Sequence, residues 1–218
     1  MKVLHVYSGG LDSTVCLYHL LKAGRTVECL NFFYGSKHNT RERAAAEAIC
    51  AILNVPLRKI DLDFNALGFH SALLQSGFSV PEGHYADENM KQTVVPFRNG
   101  IMASIAVGLA ESIGYDAISL AVHAGDHTIY PDCRPTFFEG FSQAASYGTW
   151  KNIAVLTPFI LGSKITIVEE GAALDVPMFL TWTCYKGGEK HCGKCGACVE
   201  RKEAFEKAGV RDLTVYEE

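Results

Sequence analysis

No stretch of the 218-residue chain approaches the ~18 consecutive apolar residues that a membrane span requires, and no small-residue cleavage site follows its opening residues. This disfavours a membrane or exported protein, and a cytoplasmic one is expected. An excess of basic charge is missing as well: 20 Lys and Arg against 24 Asp and Glu leave a net charge of −4. Such a chain does not suit non-specific binding along a nucleic-acid backbone, although a small anion held by a local cluster stays open. There is no internal repeat and no low-complexity segment. With 48% apolar and 20% charged residues the composition is that of a folded core with a small appendage. Disorder is expected only at residues 215–218.

Two familiar phosphate signatures are also absent. The loop Ser8-Gly9-Gly10-Leu11-Asp12-Ser13 has no Gly-Lys-Ser/Thr ending of the Walker type and no third glycine of a dinucleotide fingerprint. Yet it stands where an apolar run, residues 3–7, gives way to a helical one, residues 14–22. Two glycines let the backbone turn tightly, and the helix that follows offers unpaired N–H groups and a positive dipole end to an anion. Ser8 and Ser13 add hydroxyls.

Further along, strand-like runs at residues 26–33, 57–61, 116–122 and 155–158 alternate with helical patterns at 40–53, 98–113, 137–147 and 163–174. Alternation at this spacing predicts an α/β fold, a parallel sheet with helices on both faces. In the helix of residues 40–53, Glu42, Arg43 and Glu47 are expected outward and Ala46, Ile49, Cys50 and Leu53 inward. Cys16 and Cys50 read as core. Residues 63–92 lose periodicity and gather Gly, Ser, His and Pro around 77–85, which reads as an excursion over the sheet edge with the character of a lid.

Open parallel sheets bind ligands beyond the carboxyl ends of their strands. Arg98 and Asn99 open a helix there. The segment 123–135 carries His123, Asp126, His127, Asp132, Cys133 and Arg134 between prolines, where neither helix nor strand is expected to run. Ser163 is a helix cap, and Lys164 just inside it suits a nearby anion better than an empty helix start. Cys133 as a nucleophile, and His123 and His127 as proton carriers, stand beside purely structural roles, as do Phe97 and Tyr130 as stacking platforms.

Of eight cysteines, Cys184, Cys192, Cys195 and Cys198 crowd into 15 residues, with glycines at 187, 188, 193 and 196. Four thiolates so spaced can surround one tetrahedral Zn2+, with no position left open for catalysis, and the same set could hold an iron–sulfur cluster. Lys190, Lys194 and Arg201 are expected to offset thiolate charge, and His191 to lie outside the ligand set.

The loop at Ser8–Ser13 resembles the PP-loop of ATP pyrophosphatases. Together with Tyr34-Gly35-Ser36-Lys37-His38, Val95-Pro96-Phe97-Arg98-Asn99, Tyr130-Pro131-Asp132-Cys133-Arg134-Pro135 and the cysteine cluster, it resembles the QueC family, the 7-cyano-7-deazaguanine synthases. The resemblance implies a Rossmann-like PP-loop domain over residues 1–182 and a zinc-binding segment over 183–218, packed on the same domain. It also implies an ATP- and Mg2+-dependent conversion of 7-carboxy-7-deazaguanine and ammonia to the nitrile. Ser8, Gly9, Gly10, Leu11, Asp12, Ser13 and Lys164 would then serve the nucleotide, and Asp12, Arg98, Asp132 and Arg134 the chemistry. Cys184, Cys192, Cys195 and Cys198 would hold structural zinc. A homodimer without a stably bound nucleic acid is expected by analogy. Ser36 departs from the family's usual Gln, and the first zinc spacer is one residue shorter than is common. The alternatives are another PP-loop enzyme, such as a tRNA-thiolating enzyme or an amide ligase, and a non-catalytic zinc module that binds RNA or protein through Lys186, Lys190, Lys194, Arg201 and Lys202.

Overall fold

The computed structural model describes residues 1–84 and 87–217. Five parallel strands, β1 (Lys2–Val6), β2 (Thr26–Phe33), β3 (Leu57–Asp61), β4 (Ala117–Ser119) and β5 (Ala154–Leu156), form one sheet in the order β3-β2-β1-β4-β5. All neighbours pair in parallel, with Val3 beside both Val27 and Ala117. Strands added first on one side of β1 and then on the other create a crevice where the order reverses, at the carboxyl ends of β1 and β4.

Successive residues of β1 feed opposite faces, as a pleated strand requires. Leu4 joins Leu30, Ile118 and the helices α3 (Arg98–Ile113) and α4 (Pro135–Tyr147) on one face. Val3 joins Cys29, Ala117 and the helices α1 (Leu11–Lys22), α2 (Asn39–Leu53) and α5 (Lys164–Ala173) on the other. This two-sided burial is why the central strands read as unbroken apolar runs. Among the polar exceptions, His5 is fully buried with Nδ1 2.7 Å from Ser119 Oγ and Nε2 2.9 Å from the Ser13 carbonyl. Burial pushes its pKa down to about 4, so a neutral imidazole ties β1 to β4 and to the first turn of α1.

The C-terminal segment packs on the same body. The helix α6 (Gly196–Lys207) sends Ala204 and Phe205 into the core beneath α1 and α5, while the four clustered cysteines join the opposite core. The stretch Glu88–Ile113 has the length and hydropathy of a membrane span, but half of its apolar window is buried, and α3 within it covers β1 and β4.

Several expectations need correction. β4 is three residues long, because Leu120, Ala121 and Val122 leave the ladder to wall a cleft. Short 3-10 turns, Ala124–Thr128 and Pro131–Cys133, occupy the segment in which no helix was expected, since single turns tolerate proline at their start. Residues 63–92 are no loose lid where they are described: Phe64, Leu73, Leu74, Val80 and Met90 are buried in the core. Lys37 Nζ also grips the carbonyls of Ala72, Gly77 and Phe78 at 2.7, 3.1 and 2.6 Å. Tyr85, part of that reading, lies outside the described residues. The tail is tied down rather than disordered through Glu217, whose N–H donates to the His191 carbonyl at 2.8 Å while His191 N–H donates to Val215 at 3.2 Å. Glu218 lies outside the described residues.

Candidate active site

The loop after β1 is shaped by contacts that only its own residues allow. Gly9 has φ +89°, and a Cβ there would lie 2.3 Å from the Glu42 carbonyl and 2.7 Å from the Ala46 nitrogen, so glycine alone lets α2 press against the loop. Gly10 N–H donates to Ser8 Oγ at 3.0 Å, Ser8 Oγ lies 3.0 Å from Ser13 Oγ, and the Ser13 hydroxyl donates to the Gly10 carbonyl at 3.1 Å. Gly10 caps α1 with extended backbone and no side-chain cap bond. The first-turn N–H groups of α1 are therefore left to an anion in the cleft. Trp182 N–H holds the Gly9 carbonyl at 3.1 Å and so fastens the C-terminal segment to the loop.

Lys164, expected at a phosphate, stands 2.6 Å from Asp12 Oδ2 and 3.4 Å from Glu200 Oε2. Burial alone would raise the Asp12 carboxyl, but the Lys164 ammonium and the His123 ring behind it hold it below the ordinary carboxylate range. Burial lifts Glu200 against the pull of the same lysine. Lys164 itself is held above its usual range, because the attraction of Asp12 and Glu200 outweighs its burial. α6 thus contributes Glu200 to the cleft from the helix that begins between Cys195 and Cys198.

The opposite wall is built around Arg98, at the start of α3. Its Nη1 donates to Tyr34 Oη at 3.2 Å, its Nη2 to Asn99 Oδ1 at 3.3 Å, and its guanidinium lies 5.6 Å from the centre of the Tyr34 ring. Asp132 is buried and acts behind this wall, accepting Asn99 N–H at 2.8 Å and Asn99 Nδ2 at 3.3 Å. A carboxylate on a first-turn N–H of α3 also suits the helix dipole. Arg134 is exposed and donates to the His127 carbonyl at 2.9 Å. The cleft is lined by Arg98 and Asn99 but by neither Asp132 nor Arg134. Cys133 is buried 3.1 Å from Asn99 Nδ2, and burial together with Asp126 and Asp132 pushes its thiol far up. Tyr130 lines the cleft with its hydroxyl 2.8 Å from Thr93 Oγ1, whereas Phe97 is half-exposed against Phe137.

Glu42 and Arg43 do not face outward as expected. Arg43 turns inward to Asn31 Oδ1 at 2.9 Å, the Ile60 carbonyl at 3.2 Å and Asp61 Oδ1 at 2.7 Å. In turn Asn31 Nδ2 holds the Tyr7 carbonyl at 3.0 Å, which braces the end of β1. The Glu42 side chain is 16% exposed and lines the cleft beside His38. Burial pushes its carboxyl up to about 8, against the influence of Arg98. The i,i+4 spacing of His38 and Glu42 puts them on one face of α2, which is the sequence signal that would have found the carboxylate. Trp182, Thr183, Tyr185 and Glu200 carry no such signal. Ser36 is buried, bridged to Leu74 and away from the cleft, so its departure from Gln falls under the 63–92 segment.

The sulfurs of Cys184, Cys192, Cys195 and Cys198 all lie within 4.8 Å of one another. Tetrahedral zinc with metal–sulfur bonds of ~2.3 Å sets sulfurs ~3.8 Å apart, so the cluster fits a single ion after slight contraction. Backbone N–H groups point at the sulfurs: Cys192 N at Cys184 Sγ (3.3 Å), and Lys194 N and Cys195 N at Cys192 Sγ (3.4 and 3.3 Å). Such donors suit thiolates. Arg201 is not a free counter-charge, for it is fully buried on Asp212, Thr181, Thr183 and the Met178 carbonyl. The basic surface of the alternative nucleic-acid module loses one of its five members.

An anion cradle at the carboxyl ends of a parallel sheet, faced by a guanidinium, defines the nucleotide-type site of a doubly wound α/β protein. The chain belongs to the QueC family, whose model, described as queuosine biosynthesis protein QueC, matches residues 2–209. It is 48% identical over 211 residues to the 7-cyano-7-deazaguanine synthase of Desulfotalea psychrophila, covering 97% of this chain and 96% of that one. It is 49% identical over 214 residues to the synthase of the same name from Porphyromonas gingivalis (98% and 96% covered), and 45% identical over 218 residues to that of Methanoregula boonei (100% of each).

Proposed function

We propose that this protein converts 7-carboxy-7-deazaguanine and ammonia to 7-cyano-7-deazaguanine at the expense of ATP. The observation that carries the reading is its similarity, over nearly the full length of both chains, to synthases of that one name. A carboxylate is a poor electrophile at neutral pH. Its oxygen attacks the α-phosphorus of ATP, pyrophosphate leaves, and ammonia displaces AMP from the acyl carbon to give the amide and a proton. The amide oxygen then attacks a second ATP, pyrophosphate leaves again, and loss of AMP and the remaining N–H protons yields the nitrile. The single cradle of Ser8, Gly9, Gly10, Leu11, Asp12 and Ser13 serves both activations through N–H and hydroxyl donors. Lys164 neutralises Asp12 and Glu200 at the edge of that cradle. Arg98 offers positive charge to the oxygens that develop charge, and Asp132 holds Asn99 and the start of α3 in place. Arg134 fixes the His127 turn. Mg2+ carried with ATP supplies charge neutralisation at the leaving pyrophosphate.

Cys184, Cys192, Cys195 and Cys198 hold one structural zinc in this reading, with residues 183–218 as the zinc-binding segment on a nucleotide-binding unit of residues 1–182. The protein works in the cytoplasm as a homodimer, with no stably bound nucleic acid, in keeping with its net charge of −4. The test is to incubate the purified protein with ATP, Mg2+, ammonium and 7-carboxy-7-deazaguanine and follow amide and nitrile by mass spectrometry. Appearance of both supports the reading; absence of both from metal-replete protein removes it.

A further inference from the structure

We infer that Glu42 reads the substrate heterocycle, its carboxylate accepting the two adjacent N–H groups on the 2-amino-4-oxopyrimidine edge of the deazaguanine. This rests on the function proposed above. Glu42 lines the cleft from the first turn of α2, with its own carbonyl lodged under Gly9 of the phosphate loop. The position of its backbone is thereby tied to the place where phosphates bind.

The carboxylate is held from one side and unsatisfied on the other. Oε2 has Asn39 Nδ2 at 3.5 Å and His38 Nε2 at 3.6 Å, both long contacts. Those neighbours are themselves fixed. Asn39 Oδ1 accepts the N–H groups of Tyr34 and Ser36 at 2.8 Å each, and His38 Nδ1 lies 3.3 Å from the Tyr185 carbonyl. Among the described residues Oε1 takes no hydrogen bond, and no Lys or Arg lies within ion-pair distance of either oxygen; burial pushes the His38 ring down to about 4, so it faces Glu42 uncharged at neutral pH. A carboxylate so enclosed is costly unless donors reach it. The bland reading, a solvated helix-surface glutamate, fails on its 16% exposure.

A ligand in the cleft can supply the donors that Oε1 lacks within the protein, and the surroundings say which kind. Tyr34, His38 and Tyr185 form a ring cluster beside the carboxylate, with centroids 6.4 and 5.4 Å apart, a wall suited to a flat heterocycle. Without ligand, burial favours the protonated carboxyl. Two N–H donors arriving at its oxygens favour the ionised form, which has two acceptors and no donor and so matches an edge with two N–H groups in a bidentate pair, the proton passing to solvent. The adenine edge of ATP presents one donor and one acceptor and matches an amide side chain instead.

The test compares 7-carboxy-7-deazaguanine with its analogue lacking the 2-amino group, by calorimetric binding to the full-length protein and by turnover with ATP, Mg2+ and ammonium. Removing the amino group should weaken binding to the unaltered protein about 10- to 100-fold, and Glu42→Gln should weaken binding of the complete substrate by a similar factor. In Glu42→Gln the two ligands should differ by less than about threefold, with KM for ATP unchanged and Glu42→Asp intermediate. The idea is overturned if Glu42→Gln still discriminates as the unaltered protein does, if it raises KM for ATP instead, or if it lowers kcat alike for both ligands at unchanged affinity. That last result would make Glu42 a proton carrier. Glu42-dependent binding without nitrile formation would remove the synthase reading and keep the recognition site.

Discussion

Lys164 Nζ and Asp12 Oδ2 meet at 2.6 Å across 152 residues of sequence, and this contact joins the phosphate loop to α5. The first consequence is a stability that depends on pH. Asp12 is depressed, so its share is present above the ordinary carboxylate pKa and lost as pH falls through the depressed value. Lys164 is raised, so its share is present below the ordinary lysine pKa and lost as pH rises through the raised one. At pH 7 both act. Lys164→Met should cost about 1–3 kcal/mol in urea unfolding at pH 7, with the difference from the unaltered protein shrinking in acid. Turnover should fall at least ~100-fold, since the two carboxylates at the cradle, Asp12 and Glu200, lose their cation.

Glu42 gives the opposite sign. Its folded pKa of about 8 lies above the ordinary glutamate value, so the folded state binds the extra proton and stability declines as pH rises from about 4.5 to 8. Glu42→Gln removes that decline. By thermal unfolding without ligand, the variant should match the unaltered protein at pH 5 and exceed it by about 1–3 kcal/mol at pH 9.

Cys133 is expected to be inert. Its thiol is buried against Asn99 and pushed far above the range in which a thiolate forms at neutral pH. Cys133→Ser should keep turnover within about threefold, and intact-mass analysis during turnover should show no acyl adduct on the chain.

How far the site was legible in the sequence depended on how local each signal is. The phosphate loop and the cysteine cluster are short, self-contained patterns, and the fold brings each together as a unit. Alternating apolar runs were enough for a parallel sheet with two covered faces. Glu42 and Arg43 failed because a helical wheel assigns charge to solvent, whereas a cleft at the end of β2 and a demand from Asn31 drew both inward. Asp132 and Arg134 share one motif, yet a 3-10 turn sends Asp132 to the start of α3 and Arg134 to the surface. Glu200 and Trp182 reach the cleft only through packing of the C-terminal segment, a long-range event that no spacing announces.

That packing carries a prediction for the metal. Elemental analysis of the purified protein should give one zinc per chain. Chelation, or Cys198→Ser, should lower the melting temperature by more than ~5 °C and abolish ATP-dependent turnover, because the same segment supplies Thr183 and Glu200 to the cleft. Restored zinc should restore both in the chelated protein.

Two successive activations by adenylyl transfer at one cradle would leave their trace in the fate of the carboxyl oxygens. 7-Carboxy-7-deazaguanine labelled with oxygen-18 at both carboxyl positions is turned over with unlabelled ATP, and the AMP and nitrile are weighed. Two AMP per nitrile are expected, each carrying one heavy oxygen, with pyrophosphate unlabelled. Unlabelled AMP, or ADP and labelled phosphate in its place, would contradict two adenylyl transfers.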